Sequence, residues 1–492
     1  MTTPAPADHL QRSIGARQLS MIAIGGAIGT GLFLASGGAI AQAGPGGALL
    51  AYAIMGLAVY CMMQSLGEMA TQLPIAGSFE AYAERFVDPS LGFTLGWNYW
   101  FSWSITLAAE LVAGSLIVKF WFPNSNATLW AMGFMALLLA LNLLSVKAYA
   151  EAEYWFASIK VSTVLIFVFV GILMMLGVIG NGDAVGFKNW HLGDAASGNS
   201  APFVGGITAI LMVFLVAGFS FQGTEAVGLA AAETTDPQKN VPRAINSVFW
   251  RILLFYIGAI AVIGSLIPFN DPNLLRSGEE NIAFSPFTIV FQHLPGIGHL
   301  AANLMNFVIL SAVLSAGNSS LYVSSRMLYA MSHSKRAPAA FGRVNKRGVP
   351  VAAVWATAVI GALAFFASLV GDQKVYQLLY NASGLTGFII WLGIAICHLR
   401  FRKAWVAQGR RVEDLKFRAR FYPIGPLAAL VLFVVVIFGA NSFVFQAPVF
   451  SWFDFISNYI LIPVALLLYF GHKFFNKTKP VPLKECDFEP DA

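Results

Sequence analysis

Residues 218–228 read GFSFQGTEAVG, a polar, glycine-bearing interruption inside an apolar stretch that runs from about Phe203 to Ala232. Gly218 and Gly223 bracket Ser220, Gln222, Thr224 and Glu225. A continuous transmembrane helix has no use for such a segment. Backbone that leaves helical geometry at membrane depth frees N–H and C=O groups, and these must face protein, water or a ligand, never lipid. A carboxylate at the bilayer centre costs roughly 2.5–3.5 kcal/mol on insertion scales, so Glu225 needs a partner, a proton or a solvated cavity. The stretch is a site candidate; the bland alternative is a glycine-weakened helix with a satisfied buried Glu.

The 492 residues are 57% hydrophobic and 11% charged, against about 25% charged in a soluble domain. The chain reads as an all-α integral membrane protein whose surroundings are the lipid bilayer. Apolar runs of spanning length, roughly 20 residues each, recur at about 20–43, 46–70, 92–120, 128–146, 155–180, 203–232, 250–268, 299–330, 351–371, 375–398, 424–440 and 452–471, which makes twelve spans. An even number puts both termini on one side. Placing them in the cytoplasm leaves only Lys119, Lys188, Arg276 and Lys374 of the 30 Lys and Arg outside, in keeping with the positive bias of short cytoplasmic loops. The net charge of +6 therefore reflects topology, and no nucleic acid is called for. Cys61, Cys397 and Cys486 are scattered, giving neither a disulfide framework nor metal-ligand spacing. With no nucleophile–base pair, phosphate-binding glycine loop or metal cluster, an enzyme has little to work with, and no cofactor is expected.

A second interruption lies at 21–33, MIAIGGAIGTGLF, where Gly25, Gly26, Gly29 and Gly31 fall close together. A break here leaves the N-terminus of an outer half-helix inside the membrane, with N–H groups and a positive dipole end suited to a carboxylate. Close helix packing through Gly25 and Gly29 is the alternative, and both can hold together. The first and sixth spans are thus the interrupted ones, which points to an inverted-repeat transporter with its site at the midplane. The expected organisation is a cytoplasmic tail at 1–17, repeats at 18–180 and 203–398, two peripheral spans at 423–472 and a cytoplasmic tail at 473–492.

The loop at 74–90 has an amphipathic helical rhythm, and Glu68 before it reads as a structural partner. In WNYWFSW at 97–103, Tyr99 and Trp103 share a helical face, and Glu110 lies close to that face, so the stripe is a candidate cavity wall as well as ordinary packing. Lys160 either snorkels to the cytoplasm or points inward as an internal cation. The segment SPFTIVFQHLPG at 285–296 is too short to span. Ser311, Ser315, Asn318, Ser319 and Ser320 make the eighth span a close-packed or cavity-facing wall. The stretches 332–350 and 399–422 read as basic cytoplasmic loops, with His333 and His398 beside them and without ligand partners.

The glycine stretch at 20–50, the stretch 218–254 and SAVLSAGNSSLYVSSRMLY at 311–329 resemble amino-acid permeases of the amino acid-polyamine-organocation superfamily, and within its amino acid transporter family the lysine-specific members. The resemblance covers nearly the whole chain. It implies a LeuT-like fold of five plus five helices with helices 1 and 6 broken, alternating access, and import of L-lysine with a proton. It also implies that backbone at Thr30 and Gly31 receives the substrate carboxylate and that carbonyls near Ala27 and Phe219 receive its α-ammonium. Substrate contact is expected at Ala27, Gly29, Thr30, Gly31, Tyr99, Trp103, Glu110, Phe219, Ser220, Gln222 and Glu225. Gln222 is the pointer to a basic side chain, since relatives for uncharged substrates also carry a Glu at the place of Glu225. Lys160 and Glu225 are the proton-coupling candidates, with Lys160 taking the place of a sodium ion between spans one, five and eight. Exchange of cationic amino acids, and sensing through a regulatory membrane partner in addition to transport, are the competing functions.

Overall fold

The computed structural model describes residues 14–25, 28–144, 146–180, 184–194, 199–274, 285–439, 443–446 and 450–489. Among them the only strand pairing is the two-residue ladder of Gly193–Asp194 with Asn199–Ser200. Eight helices of the described residues are long and apolar enough to cross a membrane, and the shorter apolar helices Val351–Phe366, Ile424–Gly439 and Leu461–Asn476 fall on further predicted runs. The helical segment Gly31–Gln72 has 42 residues. Straight, it would be about 63 Å long, twice a hydrocarbon core. It divides at Gly44, whose φ of 74° lies in the left-handed region that glycine tolerates, and Pro45 opens the next helix. The Pro202 carbonyl accepts from the N–H groups of Gly46 and Gly47 at 2.9 and 3.2 Å, tying that start to the loop before the sixth span.

Both predicted interruptions are real. Helix Ala16–Gly25 stops, and helix resumes at Gly31 with a π turn over Gly31–Ala35. Helix Gly206–Phe221 stops, Gln222 is extended, Gly223 takes φ 93°, and helix resumes over Ala226–Ala230. Helix Pro89–Val118 packs against Gly298–His333 and Asp372–Ala407. Its most apolar stretch is 89% buried, against 33% in Ala127–Leu144 and 28% in Glu151–Met175. The third span is therefore an interior wall, whereas the fourth and fifth turn a face to lipid through residues such as Leu129, Ile166 and Phe169. Outside the membrane core, helix Phe79–Phe86 fulfils the amphipathic expectation. The short helix Pro286–Gln292 is buried over the first span, with Phe287 against Phe33 and Phe167 and the Ser285 hydroxyl donating to the Phe33 carbonyl at 2.6 Å.

Several boundaries differ from the sequence reading, each for a reason of partnering. The first 17 residues are not all tail: the Ile14 N–H donates to the Glu233 carbonyl at 3.0 Å, and the Thr235 N–H returns to the Ile14 carbonyl at 2.9 Å. Beside this bridge the Glu233 carboxylate pairs with Arg326 at 3.2 Å. The seventh span starts at Pro237, so Arg251 lies well inside it. His398 is not beside a loop. Helix Asp372–Ala407 continues through the basic run 398–403 because its cations have acceptors: Arg400 donates to the Phe86 carbonyl at 2.9 Å, and Arg402 binds both oxygens of Glu68. Glu68 also accepts the Ala419 N–H at 2.6 Å and has the buried His398 Nε2 at 3.1 Å. At the far end of the chain, Phe488 packs among Phe86, Phe401 and Trp405, so part of the 473–492 tail is docked.

Removing one member of a buried ion pair strands the other charge and is expected to destabilise by about 3–5 kcal/mol. Glu68→Ala should therefore lower the melting temperature of the purified protein sharply. Glu68→Gln combined with Arg402→Met should recover most of the loss, and a single variant that melts with the wild type would show that the pair is not structural.

Candidate substrate site at the two helix breaks

The two breaks touch. A Cβ added at Gly31 would lie 2.5 Å from the Ser220 Cα, so only glycine lets the first span approach the sixth this closely. The freed backbone and hydroxyl groups of the sixth span are met from behind. The Ser220 carbonyl accepts from the Tyr256 hydroxyl at 2.8 Å, and the Ser220 hydroxyl is 2.9 Å from that of Tyr52. Thr224 donates to the Phe221 carbonyl and accepts from Arg251 Nη2 at 2.7 Å. Buried peptide groups outside helix geometry need such partners.

In front of the breaks lies a cavity walled by Gly29, Thr30 and Gly31 of the first span and Phe219 and Gln222 of the sixth. Trp103, Thr106 and Glu110 close it from the third span and Ala316 from the eighth. Its volume is about 20 Å³, room for about one water, so admitting an amino acid requires the walls to part. Its chemistry is two-sided. The helix starting at Gly31 presents the N–H groups that every helix start leaves without intrahelical acceptors, at the positive end of its dipole. Opposite, Glu110 Oε1 accepts from the Thr30 hydroxyl at 3.0 Å, while the buried Oε2 has no hydrogen-bond partner among the described residues. An anion acceptor and a cation acceptor side by side suit a zwitterion.

A family model for amino acid permeases matches residues 18–484. The chain belongs to the amino acid permease family. It is 48% identical over 487 residues to the lysine-specific permease LysP of Escherichia coli strain K12, covering 99% of this chain and 98% of that protein. It is 46% identical to the lysine-specific permease LysP of Lactococcus lactis subsp. cremoris, covering 97% and 93%. It is also 45% identical to the histidine permease HisP of the same organism, covering 98% of each. Membership makes the protein a multi-pass membrane transporter of LeuT-like fold, not an enzyme.

Of the permease residues expected at the site, Gly29, Thr30, Gly31, Trp103, Glu110, Phe219 and Gln222 share the cavity. Tyr99, Ser220 and Glu225 are not among its lining residues. Ser220 faces Tyr52 and Gly31. Glu225 sits apart as a latch: Tyr99 donates to Oε1 at 3.3 Å, the Gly223 N–H donates to Oε1 at 3.3 Å, and Trp391 donates to Oε2 at 3.1 Å. Gln222 lines the cavity but spends its amide on the tenth span, donating to the Ser383 carbonyl at 2.7 Å and accepting from the Ser383 hydroxyl at 3.0 Å. Lys160 is fully buried, which removes the snorkelling alternative, and its Nζ is 4.0 Å from Glu153 Oε1. Glu153 in turn accepts from the Ser315 hydroxyl at 2.9 Å, so the fifth and eighth spans meet at this cluster. Ala27 lies outside the described residues.

Sequence reasoning missed the tenth-span face that backs Phe219, Gln222 and Glu225. Tyr376, Tyr380, Ser383, Gly387 and Trp391 fall three or four apart on helix Asp372–Ala407, one face by helical spacing. Tyr380 meets Phe219 edge to face at 4.5 Å, and a Cβ at Gly387 would collide with Gln222. The polar-aromatic period was present in the sequence. Arg251 and Glu153 stand at the ends of the apolar runs 250–268 and 155–180, where a charge ordinarily marks an interface.

Gly31→Ala should abolish substrate binding, because its Cβ meets helix backbone. Gly29→Ala should be milder, since its Cβ meets the Ala316 methyl at 3.2 Å and Glu110 Oε1 at 3.5 Å. Thermal stabilisation of the purified variants by a panel of amino acids distinguishes them. Wild-type stabilisation of Gly31→Ala would count against the site.

Proposed function

We propose that the permease imports L-lysine, with other basic amino acids as secondary substrates, by proton symport and alternating access, from a bacterial cytoplasmic membrane in which both termini are cytoplasmic. The observation that carries the substrate is the similarity over nearly the full length to two proteins named lysine-specific permeases. The site chemistry supports it. Lysine brings one carboxylate and two ammonium groups; the helix start at Gly31 suits the first, and Glu110 and Glu225 place two carboxyl groups near the breaks. The lopsided placement of Lys and Arg supports the orientation. In this reading 18–180 and 203–398 are the inverted repeats, each contributing one broken helix, and 423–472 is peripheral.

Similarity to a histidine permease at 45% keeps histidine as the second substrate reading. Uptake of labelled lysine into proteoliposomes under an imposed pH gradient, with histidine and arginine as competitors, tests both. Accumulation that follows the gradient and is competed most strongly by lysine supports the proposal. Uptake that needs preloaded amino acid and ignores the gradient would make the protein an exchanger.

Lys160 is the proposed proton carrier, because it lies between the fifth and eighth spans beside Glu153 and within electrostatic reach of Glu110. A lysine can give up its proton in a desolvated site, whereas arginine keeps its charge. Lys160→Arg should therefore lose gradient-driven accumulation while still binding substrate, and normal accumulation by that variant would sink the idea.

Glu225 and Gln222 divide their work in this reading. Glu225→Gln keeps the size of the latch but removes its charge, and should impair binding or coupling more than Gln222→Ala. The latter should mainly loosen the discrimination of lysine from neutral amino acids, as competition assays would register; an unchanged ranking would remove that role.

A further inference from the structure

On the outer surface of the basic-loop side, a groove of about 530 Å³ opens between the second span, the seventh span and the segment before helix Ile424–Gly439. The volume falls within the range of small-molecule sites. Leu57 and Tyr60 form one wall, and Phe249 and Trp250 the other, joined by the edge-to-face contact of Tyr60 with Phe249 at 5.7 Å. Leu57, Phe249, Trp250 and Phe421 are all exposed, as side chains facing lipid are. Its polar members are Arg420 and Asn246.

Arg420 stands at the level of Gln64, whose side-chain oxygen accepts its backbone N–H at 3.4 Å. Leu57 lies two turns further into the membrane, about 10 Å by helical rise. The groove thus begins at a cation and descends along apolar walls, with an amide available near the seventh span. Among the described residues no carboxylate pairs with Arg420. Lys416 and Arg418 on the same exposed segment add to the positive field. Phe421 is held at φ 63°, a left-handed conformation unfavourable for a bulky side chain, which indicates that its surroundings fix it in the groove wall.

We infer that this groove binds an anionic glycerophospholipid of the adjacent leaflet, its phosphate on Arg420, an ester carbonyl on the Asn246 amide and an acyl chain along Leu57, Phe249 and Trp250. Charge complementarity selects this occupant: basic pockets between transmembrane helices attract anionic headgroups, whereas a purely apolar face would take any lipid. The site also has a mechanical address. Asn246, Phe249 and Trp250 immediately precede Arg251, which holds Thr224 at the break of the sixth span, so the lipid would lie against the outside of the helix that braces the site.

Native mass spectrometry of the full-length protein, exchanged between phosphatidylglycerol and phosphatidylcholine of identical chains, tests the inference. The wild type should retain phosphatidylglycerol about fivefold more strongly, Arg420→Gln should fall to the phosphatidylcholine level, and Arg420→Lys should keep the preference. Leu57→Trp, which fills the groove and leaves Arg420 in place, should lower retention of both lipids, and provides the measurement should Arg420→Gln fail to fold. Equal retention of the two lipids by the wild type, an unaltered preference in Arg420→Gln, unaltered retention in Leu57→Trp, or a second copy of the chain in place of lipid would each overturn it.

Discussion

A peptide group released from helix geometry inside hydrocarbon has no solvent to turn to, and each one left without a partner costs several kcal/mol. This permease releases a set of them twice, between the helix ends at Gly25 and Gly31 and again at 222–225, and much of its architecture follows from enclosing those two places. The third span is an interior wall because it closes the front of the cavity with Trp103, Thr106 and Glu110. The second and seventh spans bring Tyr52, Tyr256 and Arg251 up behind the sixth. The tenth supplies Ser383 and Trp391 from the side. Once the first and sixth spans are broken, spans around them lose the freedom to be uniformly apolar.

The same rule governs the buried charges. Glu153 with Lys160, Glu233 with Arg326 and Glu68 with Arg402 are carboxylate–cation pairs taken out of water, the first joined by the Ser315 hydroxyl and the last by the Ala419 amide and His398. Such pairs contribute little net stability over apolar packing, but losing one partner is severe. They therefore fix which helix faces which more than they hold the protein together. Glu110 and Glu233 each leave one oxygen without a hydrogen-bond partner among the described residues, but only Glu110, whose other oxygen takes the Thr30 hydroxyl, does so in the cavity wall. A buried acceptor left waiting in a cavity wall is what a site for a cationic group requires.

The breaks were legible in the sequence because glycines clustered with polar residues weaken a spanning helix and gain nothing from lipid, and the structure places both where the pattern put them. The twelve apolar runs were legible for the same reason of length and hydropathy. What could not be read was partnership across the fold. Arg251 and Glu153 looked like span boundaries, since charge near the end of an apolar run is the ordinary mark of an interface; only the facing Thr224 and Lys160 make them interior. His398 looked like part of a basic loop until Glu68 and the Phe86 carbonyl were seen to neutralise and cap the cations around it. Glu225 stands out in the sequence, yet its partners Tyr99 and Trp391 come from two other spans, and no local pattern announces that it holds a latch instead of lining the cavity.

The short backbone bridge between Ile14 and residues 233–235 ties the start of the first broken span to the end of the sixth. Two of its hydrogen bonds run from main chain to main chain, and the Thr235 hydroxyl adds a third to the Ile14 carbonyl at 3.2 Å. The two inner half-helices are thereby yoked at their ends, and a tilt of either loads the other through that bridge.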